Sequence, residues 1–218
     1  MKLVWSPEMA LEAFIETVKT CKNIQESDDA EMISAMVGGW KPRLIVEAWA
    51  SGGEITTSIG LEIAARHLGA RHVCIVENEN SRSEYVAAMI NHGSQVPELV
   101  MEEAKEAMAT LQEVEFMVVD GRCKDLYKLF GFIELSHRGA VLVCKNTMQR
   151  YTVGFHWDFL IGEKARVTKS TIIPVGQGLN IAYVKKNLKS RKSTSKYCSS
   201  RWITRIDEKT GEEHIFRG

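Results

Sequence analysis

A chain of 218 residues with 44% hydrophobic content can bury one good core, so it reads as a single globular domain with terminal extensions. Its 28 basic and 28 acidic residues balance, which argues against a general attraction to nucleic acid or to an anionic membrane surface. Five cysteines without metal-site spacing, and no apolar run suited to a signal peptide or a bilayer span, lead us to expect a reducing compartment: the cytoplasm, with the nucleus as the alternative.

Two helix patterns come first. Ser6 is placed to cap, Pro7 suits the first helical position, and Leu11, Phe14, Ile15 and Val18 recur at helical spacing as an apolar face. Met32, Ile33, Met36 and Val37 form a second stripe, with Gly38 and Gly39 expected to stop it. These helices are expected on the sheet edge or over a ligand crevice.

From Leu44 onward strand and helix patterns alternate, which predicts a parallel sheet covered on both faces. The strands are predicted at Leu44–Ala48, Val73–Glu77, Glu98–Met101, Phe116–Asp120 and Ala140–Cys144. Ser81 and Glu84 fit a capping box, Gly93 a helix stop, and Asp125 a cap for the pattern Leu126, Leu129, Phe130. Residues 146–165 lack a period and read as irregular. Two further strand patterns then flank Pro174 to Gly178, a tight connection that turns the chain back antiparallel. The globular domain is therefore placed at 1–185. Residues 186–218 read as a basic tail with a terminal hairpin beginning at Trp202 and turning at Gly211. Lys185 to Arg205 carries eight basic residues and no acid, which suits a solvated tail better than a nucleic-acid or nuclear-import segment and leaves a protein partner as an alternative.

The most informative stretch runs from Leu44 to Glu77. An apolar run, a small-residue turn, a helix and a second apolar run ending in a carboxylate make a nucleotide-binding βαβ pattern. Ser51, Gly52 and Gly53 let backbone approach a ligand beside a helix N-terminus. Glu77 stands where an acidic group can accept hydrogen bonds from both hydroxyls of a ribose. An ordinary glycine turn with a strand-end Glu is the alternative reading of the same residues. The G-x-G-x-x-G spacing of a nicotinamide site is absent.

The segments VEAWASGG, CIVE, MVVDG, LVCKN and LNIAYVKK together resemble the class I S-adenosylmethionine-dependent methyltransferases, in particular the catechol and caffeoyl-coenzyme A O-methyltransferase branch. KLVWSPEMALEAFIETVK, SRSEYVAAM and GEEHIFRG look more closely like a plant family of methyltransferase-like proteins known as a domain of unknown function. The resemblance implies an α/β, three-layer Rossmann-like methyltransferase fold, with a mostly parallel sheet and a C-terminal antiparallel hairpin. It implies S-adenosyl-L-methionine as cofactor and an unidentified small molecule as methyl acceptor, or a non-catalytic module that keeps the fold for binding or regulation. Glu47 would orient the cofactor loop, Ser51, Gly52 and Gly53 would line it, and Glu77 would hold the ribose.

Three departures from that branch stand out. Trp49 replaces a glycine, so its indole either fills the space of the cofactor's methionine moiety or turns away and packs under a neighbouring helix. Asp120 and Asn146 match two Mg²⁺-ligand positions, but Lys145 stands at the third, where an ammonium repels a cation, so no metal is expected. Asp120 and Lys145 would instead lie at the reaction crevice, with Lys145 pairing with Asp120 or holding an anionic acceptor, or Lys145 forms a structural salt bridge, the reading we favour. Third, no convincing general base emerges: Lys124 lies one residue beyond the position where the related enzymes place a Lys, and His137 and His156 lie on loops near the expected crevice, each with a surface position as the alternative. His156 with Phe155, Trp157 and Phe159 offers aromatic walls for the acceptor, or a cover for the core.

Overall fold

The computed structural model describes residues 5–24, 29–101, 111–123, 126–147, 156–187, 202–206 and 213–217. The chain divides into two compact units, Met1–Asn187 and Leu188–Gly218. In the first, helices α1 (Pro7–Cys21) and α2 (Ala30–Trp40) precede β1 (Leu44–Ala48), α3 (Thr56–Leu68), β2 (Arg71–Val76), α4 (Glu79–Asn91), β3 (Glu98–Met101) and β4 (Phe116–Asp120). Then come α5 (Leu126–Phe132), β5 (Ala140–Lys145), α6 (Trp157–Ile161), β6 (Ala165–Ile173) and β7 (Leu179–Lys186). The second unit contains the hairpin β8 (Trp202–Ile206) and β9 (Glu213–Arg217).

The seven strands of the first unit form one sheet in the order β3-β2-β1-β4-β5-β7-β6. β1 to β5 are mutually parallel, and β7 runs antiparallel to both β5 and β6. This is the expected parallel sheet closed by an antiparallel hairpin. Successive side chains of a strand point to opposite faces, and every residue of β1, β4 and β5 is buried, because helices cover both sides. Val46, Ile75, Val119 and Leu142 pack with Leu129 and Phe130 of α5 and Trp157 and Ile161 of α6. Ile45, Phe116, Val118 and Val143 pack on the other face with Ala13, Ile33, Val37 and Leu61 from α1, α2 and α3. Strand order reverses between β1 and β4, so their carboxyl ends flank a crevice.

Several local expectations are corrected. α2 joins the core on one sheet face through Ile33 and Val37, α1 packs on α2 and α3, and α1 buries its small residues Ala10, Ala13, Thr17 and Cys21 while Leu11, Phe14, Ile15 and Val18 face outward. Small side chains win because α1 and α2 approach closely. Gly38 and Gly39 do not end α2; they lie inside it, where a Cβ would collide with the Met9 carbonyl and the Trp5 ring, respectively. Ser6 is the residue before α1, but its hydroxyl bonds Glu8 rather than a helix amide. At α4 the cap is Asn78, whose Oδ1 accepts from the Ser81 amide at 3.0 Å, so the Ser81–Glu84 capping box does not form. Gly93 does follow α4 at φ +69°, in the left-handed region its lack of Cβ permits. β2 ends at Val76, leaving Glu77 just beyond it. Residues 157–164, expected to be irregular, form α6 and a 3₁₀ turn, while Asp125 and Gly211 lie outside the described residues.

Candidate functional site

At the carboxyl end of β1 the chain places two large or charged side chains where a cofactor loop was expected, and both turn away. Glu47 is buried; its carboxylate accepts from Ser58 Oγ of α3 at 2.7 Å and Tyr85 Oη of α4 at 3.3 Å. His72 Nε2 stands 3.6 Å from the same group. Glu47 thus ties two helices to the sheet, which corrects its expected role in orienting the loop. Burial, followed by the nearby Glu47 charge, pushes the Cys74 thiol and the Tyr85 phenol well above their usual values, so both stay neutral.

The Trp49 indole is buried beside Ile55, Ile59, Cys74 and Tyr85, with the Tyr85 ring edge-on at 5.3 Å. Its Nε1 lies 3.4 Å from the Glu54 carbonyl, to which it donates. Of the two positions open to this indole, packing under the helices is the one adopted. The same ring explains Gly53, since a Cβ there would stand 2.8 Å from Trp49 Nε1 and 2.6 Å from the Ala50 carbonyl. Gly52 adopts φ +71°, and its amide donates to Glu84 Oε1 at 3.0 Å while Ser51 Oγ donates to Glu84 Oε2 at 2.7 Å. Glu84 therefore clasps the loop to α4, in place of the capping role expected of it.

On the α5 side of the sheet a cavity of about 160 Å³ opens at the ends of β1 and β2. Ala48, Ile75, Val76 and Leu129 supply apolar wall, and Glu77, Arg122 and Cys123 supply polar groups. Trp49 and Ser51 also border it, but the indole itself is buried. Glu77 is half-buried at this wall.

Asp120, at the end of β4, is fully buried and fully engaged. Arg122 grips it with two bonds, Nε to Oδ1 at 3.0 Å and Nη2 to Oδ2 at 2.7 Å, and the Arg122 amide adds a third at 2.9 Å. Asn146 Nδ2 donates to Oδ2 at 3.0 Å, and Lys145 Nζ stands 4.0 Å away. Burial alone would raise the Asp120 carboxyl, but the Arg122 bonds and the Lys145 charge outweigh it and hold the group below its usual range. Lys145 is buried and donates to Thr57 Oγ1 at 3.0 Å; Thr57 in turn bonds Asp29 Oδ1 at 3.3 Å. Its ammonium closes a buried network with Thr57 and Asp120 and does not line the cavity, which agrees with the structural salt-bridge reading rather than the crevice one. Arg122 was not singled out in the sequence. Its position two residues beyond a strand-end Asp, within reach of a fork-shaped bidentate pair, is the signal that could have found it.

His156 lies elsewhere. It precedes α6 with its ring edge-on to the exposed Phe159 at 5.9 Å, and borders a second cavity of about 400 Å³ with Asp158, Thr171 and Asn180. That cavity shares no lining residue with the first. Trp157 is buried, and its Nε1 donates to Asn180 Oδ1 at 3.0 Å. His137 sits before β5, at the end of the sheet opposite the cavity, and is bound to Glu113 at 2.7 Å, which removes it as a proton acceptor there. Lys124 and Phe155 fall outside the described residues. Among the described residues no three His, Cys, Asp or Glu side chains are grouped to hold a metal ion.

The family model described as protein of unknown function (DUF1442) matches residues 1–218. The chain belongs to that family. No curated protein matches it. Among solved structures, the chain is similar to the S-adenosylhomocysteine-bound methyltransferase PaMTH1 of Podospora anserina, at 13% identity and TM-score 0.55, over 84% of this chain and 89% of that one. It is similar to an O-methyltransferase of Bacillus cereus in complex with S-adenosylhomocysteine, at 16% identity and TM-score 0.52, over 84% and 93%. A third is the O-methyltransferase TomG of Streptomyces achromogenes, in complex with S-adenosylmethionine, at 19% identity and TM-score 0.51, over 80% and 90%. At these identities the likeness establishes the methyltransferase fold. Among the described residues no helix is long and apolar enough to cross a membrane.

Proposed function

We propose that this protein binds S-adenosylmethionine, or its demethylated product, in the cavity at the ends of β1 and β2. The observation that carries the reading is the joint position of Glu77 and an apolar wall there, with the Trp49 indole packed away from the opening. Glu77 accepts the ribose hydroxyls, and Ile75, Val76 and Leu129 contact the purine. The solved neighbours that hold S-adenosylhomocysteine or S-adenosylmethionine support this choice of ligand. When bound, the cofactor supplies an activated methyl group for a small-molecule acceptor. A divalent cation does not fit: both Asp120 oxygens accept from Arg122, and Lys145 offers no lone pair. Methyl transfer here is therefore proposed to be metal-independent, and cytoplasmic in keeping with the free thiols at Cys74 and Cys144.

A second reading has a specific observation in its favour. Glu84 occupies the Ser51 hydroxyl and Gly52 amide, and Asp120 is sealed by Arg122, which suits a binding or regulatory module whose basic segment 185–205 meets a protein partner. Calorimetric titration of S-adenosylmethionine and S-adenosylhomocysteine into the wild type and into Glu77→Ala tests the site. Binding that is lost in the variant supports it; binding unchanged in Glu77→Ala removes it. Transfer of labelled methyl to small-molecule extracts then separates an enzyme from a module.

A further inference from the structure

α1 carries an apolar stripe on the side it does not bury. Leu11, Phe14, Ile15 and Val18 recur at i, i+3, i+4 and i+7 and are 41–58% exposed, and Trp5, 52% exposed, precedes the helix with its ring over Gly39 of α2. Together these five side chains leave on the order of 500 Å² of apolar surface open, the size at which a patch marks an interaction site. At 100° per residue, the exposed Glu8, Glu12, Lys19 and Lys22 all fall along one side of the stripe, the acids in the first half of the helix and the bases in the second. Ala10, Ala13 and Thr17 are buried on the other side, and α3 also reaches the charged side, where His67 Nδ1 stands 3.8 Å from Glu12, whose side chain stays 59% exposed.

We propose that the protein forms a homodimer in which α1 packs antiparallel on α1 of a second copy. A two-fold axis crossing the helix between Phe14 and Ile15 superposes the two apolar stripes. It keeps the charged side of each helix next to the charged side of the other, with direction reversed. Glu8 and Glu12 of one copy then face Lys22 and Lys19 of the other, twice over. A parallel pairing would carry the two charged sides to opposite flanks of the seam and leave them unpaired across it. The surface is thus self-complementary in one orientation only, as a closed two-fold interface requires. With its flanking charges, the patch approaches the roughly 800 Å² per partner of a stable association. This interface is independent of the ligand reading.

Sedimentation equilibrium of the full chain, over a dilution series through the micromolar range, reads the outcome. The wild type is expected to be dimeric. Phe14→Glu with Val18→Glu should weaken association at least about tenfold while leaving far-ultraviolet dichroism and thermal unfolding of the protomer unchanged, because both positions are exposed. Glu8→Lys with Glu12→Lys should weaken the dimer, and adding Lys19→Glu with Lys22→Glu should restore it. These charge reversals lie at exposed positions, remove the Ser6–Glu8 bond and the Glu12–His67 pair in both the double and the fourfold variant, and so carry the test through the restoration should the apolar pair unfold the chain. A wild type that stays monomeric throughout, a dimer indifferent to Phe14→Glu with Val18→Glu, or a fourfold reversal that fails to restore association overturns the proposal.

Discussion

Arg122 changes what the strand-end acid can do. A buried carboxylate whose acceptor positions are taken by the Arg122 fork, the Arg122 amide and Asn146 has none left for Mg²⁺, and the cationic Lys145 nearby raises the cost of bringing one in. Titrating Mg²⁺ into the protein is expected to give no saturable heat, and any methyl transfer should survive chelation. Recovery of a chelator-killed activity by Mg²⁺ alone would mean that Asp120 releases Arg122 in solution. At Glu77, replacement by Gln keeps one acceptor and loses the charge, so affinity for S-adenosylmethionine should fall by about 1.5 to 3 kcal/mol, measured by calorimetry. Trp49 tests the opposite kind of role. Its indole fills space among Ile59, Cys74 and Tyr85, so Trp49→Ala should cost about 3 to 5 kcal/mol in denaturant unfolding. Tighter ligand binding at unchanged stability would place the ring in the cavity instead.

Among the elements, the close packing of α1 on α2 depends on side chains that are missing. A Cβ at Gly38 meets the Met9 carbonyl and the Ala10 backbone, which cannot move without shifting α1; at Gly39 it meets the Trp5 ring, a side chain that can swing aside. Gly38→Ala is therefore expected to destabilise by about 1 to 3 kcal/mol, despite the roughly 1 kcal/mol that alanine gains in helix propensity. Gly39→Ala should cost less. Equal unfolding midpoints for the two variants would contradict the contact. The helix periodicity of Leu11, Phe14, Ile15 and Val18 was legible in the sequence, but not which side would be buried. Hydrophobicity alone favours the large residues, whereas the short distance between helices admits only Ala10, Ala13 and Thr17.

For the whole molecule, buried and paired groups set opposite limits on the pH range of stability. Hydrogen bonds from Arg66 and Arg71 hold the Glu16 and Glu98 carboxyls below their usual values; for Glu113 and Asp120 the bonds outweigh an opposing effect of burial. A depressed carboxylate stabilises the fold above its unfolded value and loses that contribution as pH falls through the folded one, so unfolding should ease below about pH 4. Cys74, Tyr85 and Cys144 are raised chiefly by burial, and they act in the other direction. Their contribution is complete below the ordinary thiol and phenol values and declines as pH climbs beyond about 8.5. Thermal unfolding across the pH range should show a plateau with a falling limb on each side. A midpoint that keeps rising above pH 9 would contradict the burial of these groups.

Strand–helix alternation, the antiparallel closing hairpin and the βαβ pattern at Leu44 to Glu77 could be read from the sequence, because a strand buried on both faces writes a continuous apolar run and a tight turn writes its glycines. The same local signals marked Glu77, while Asp120 was marked by the family resemblance. What the sequence left undecided was direction and partnership. Glu47, Trp49 and Lys145 each project from a strand end or just past it, and whether such a side chain enters the crevice or runs beneath a helix depends on the space that Ser58, Tyr85 and Thr57 provide from distant positions. Glu84 likewise clasps Ser51 and Gly52 rather than its own helix end. Those choices are made by contacts between residues tens of positions apart, which local periodicity does not record and only tertiary packing decides.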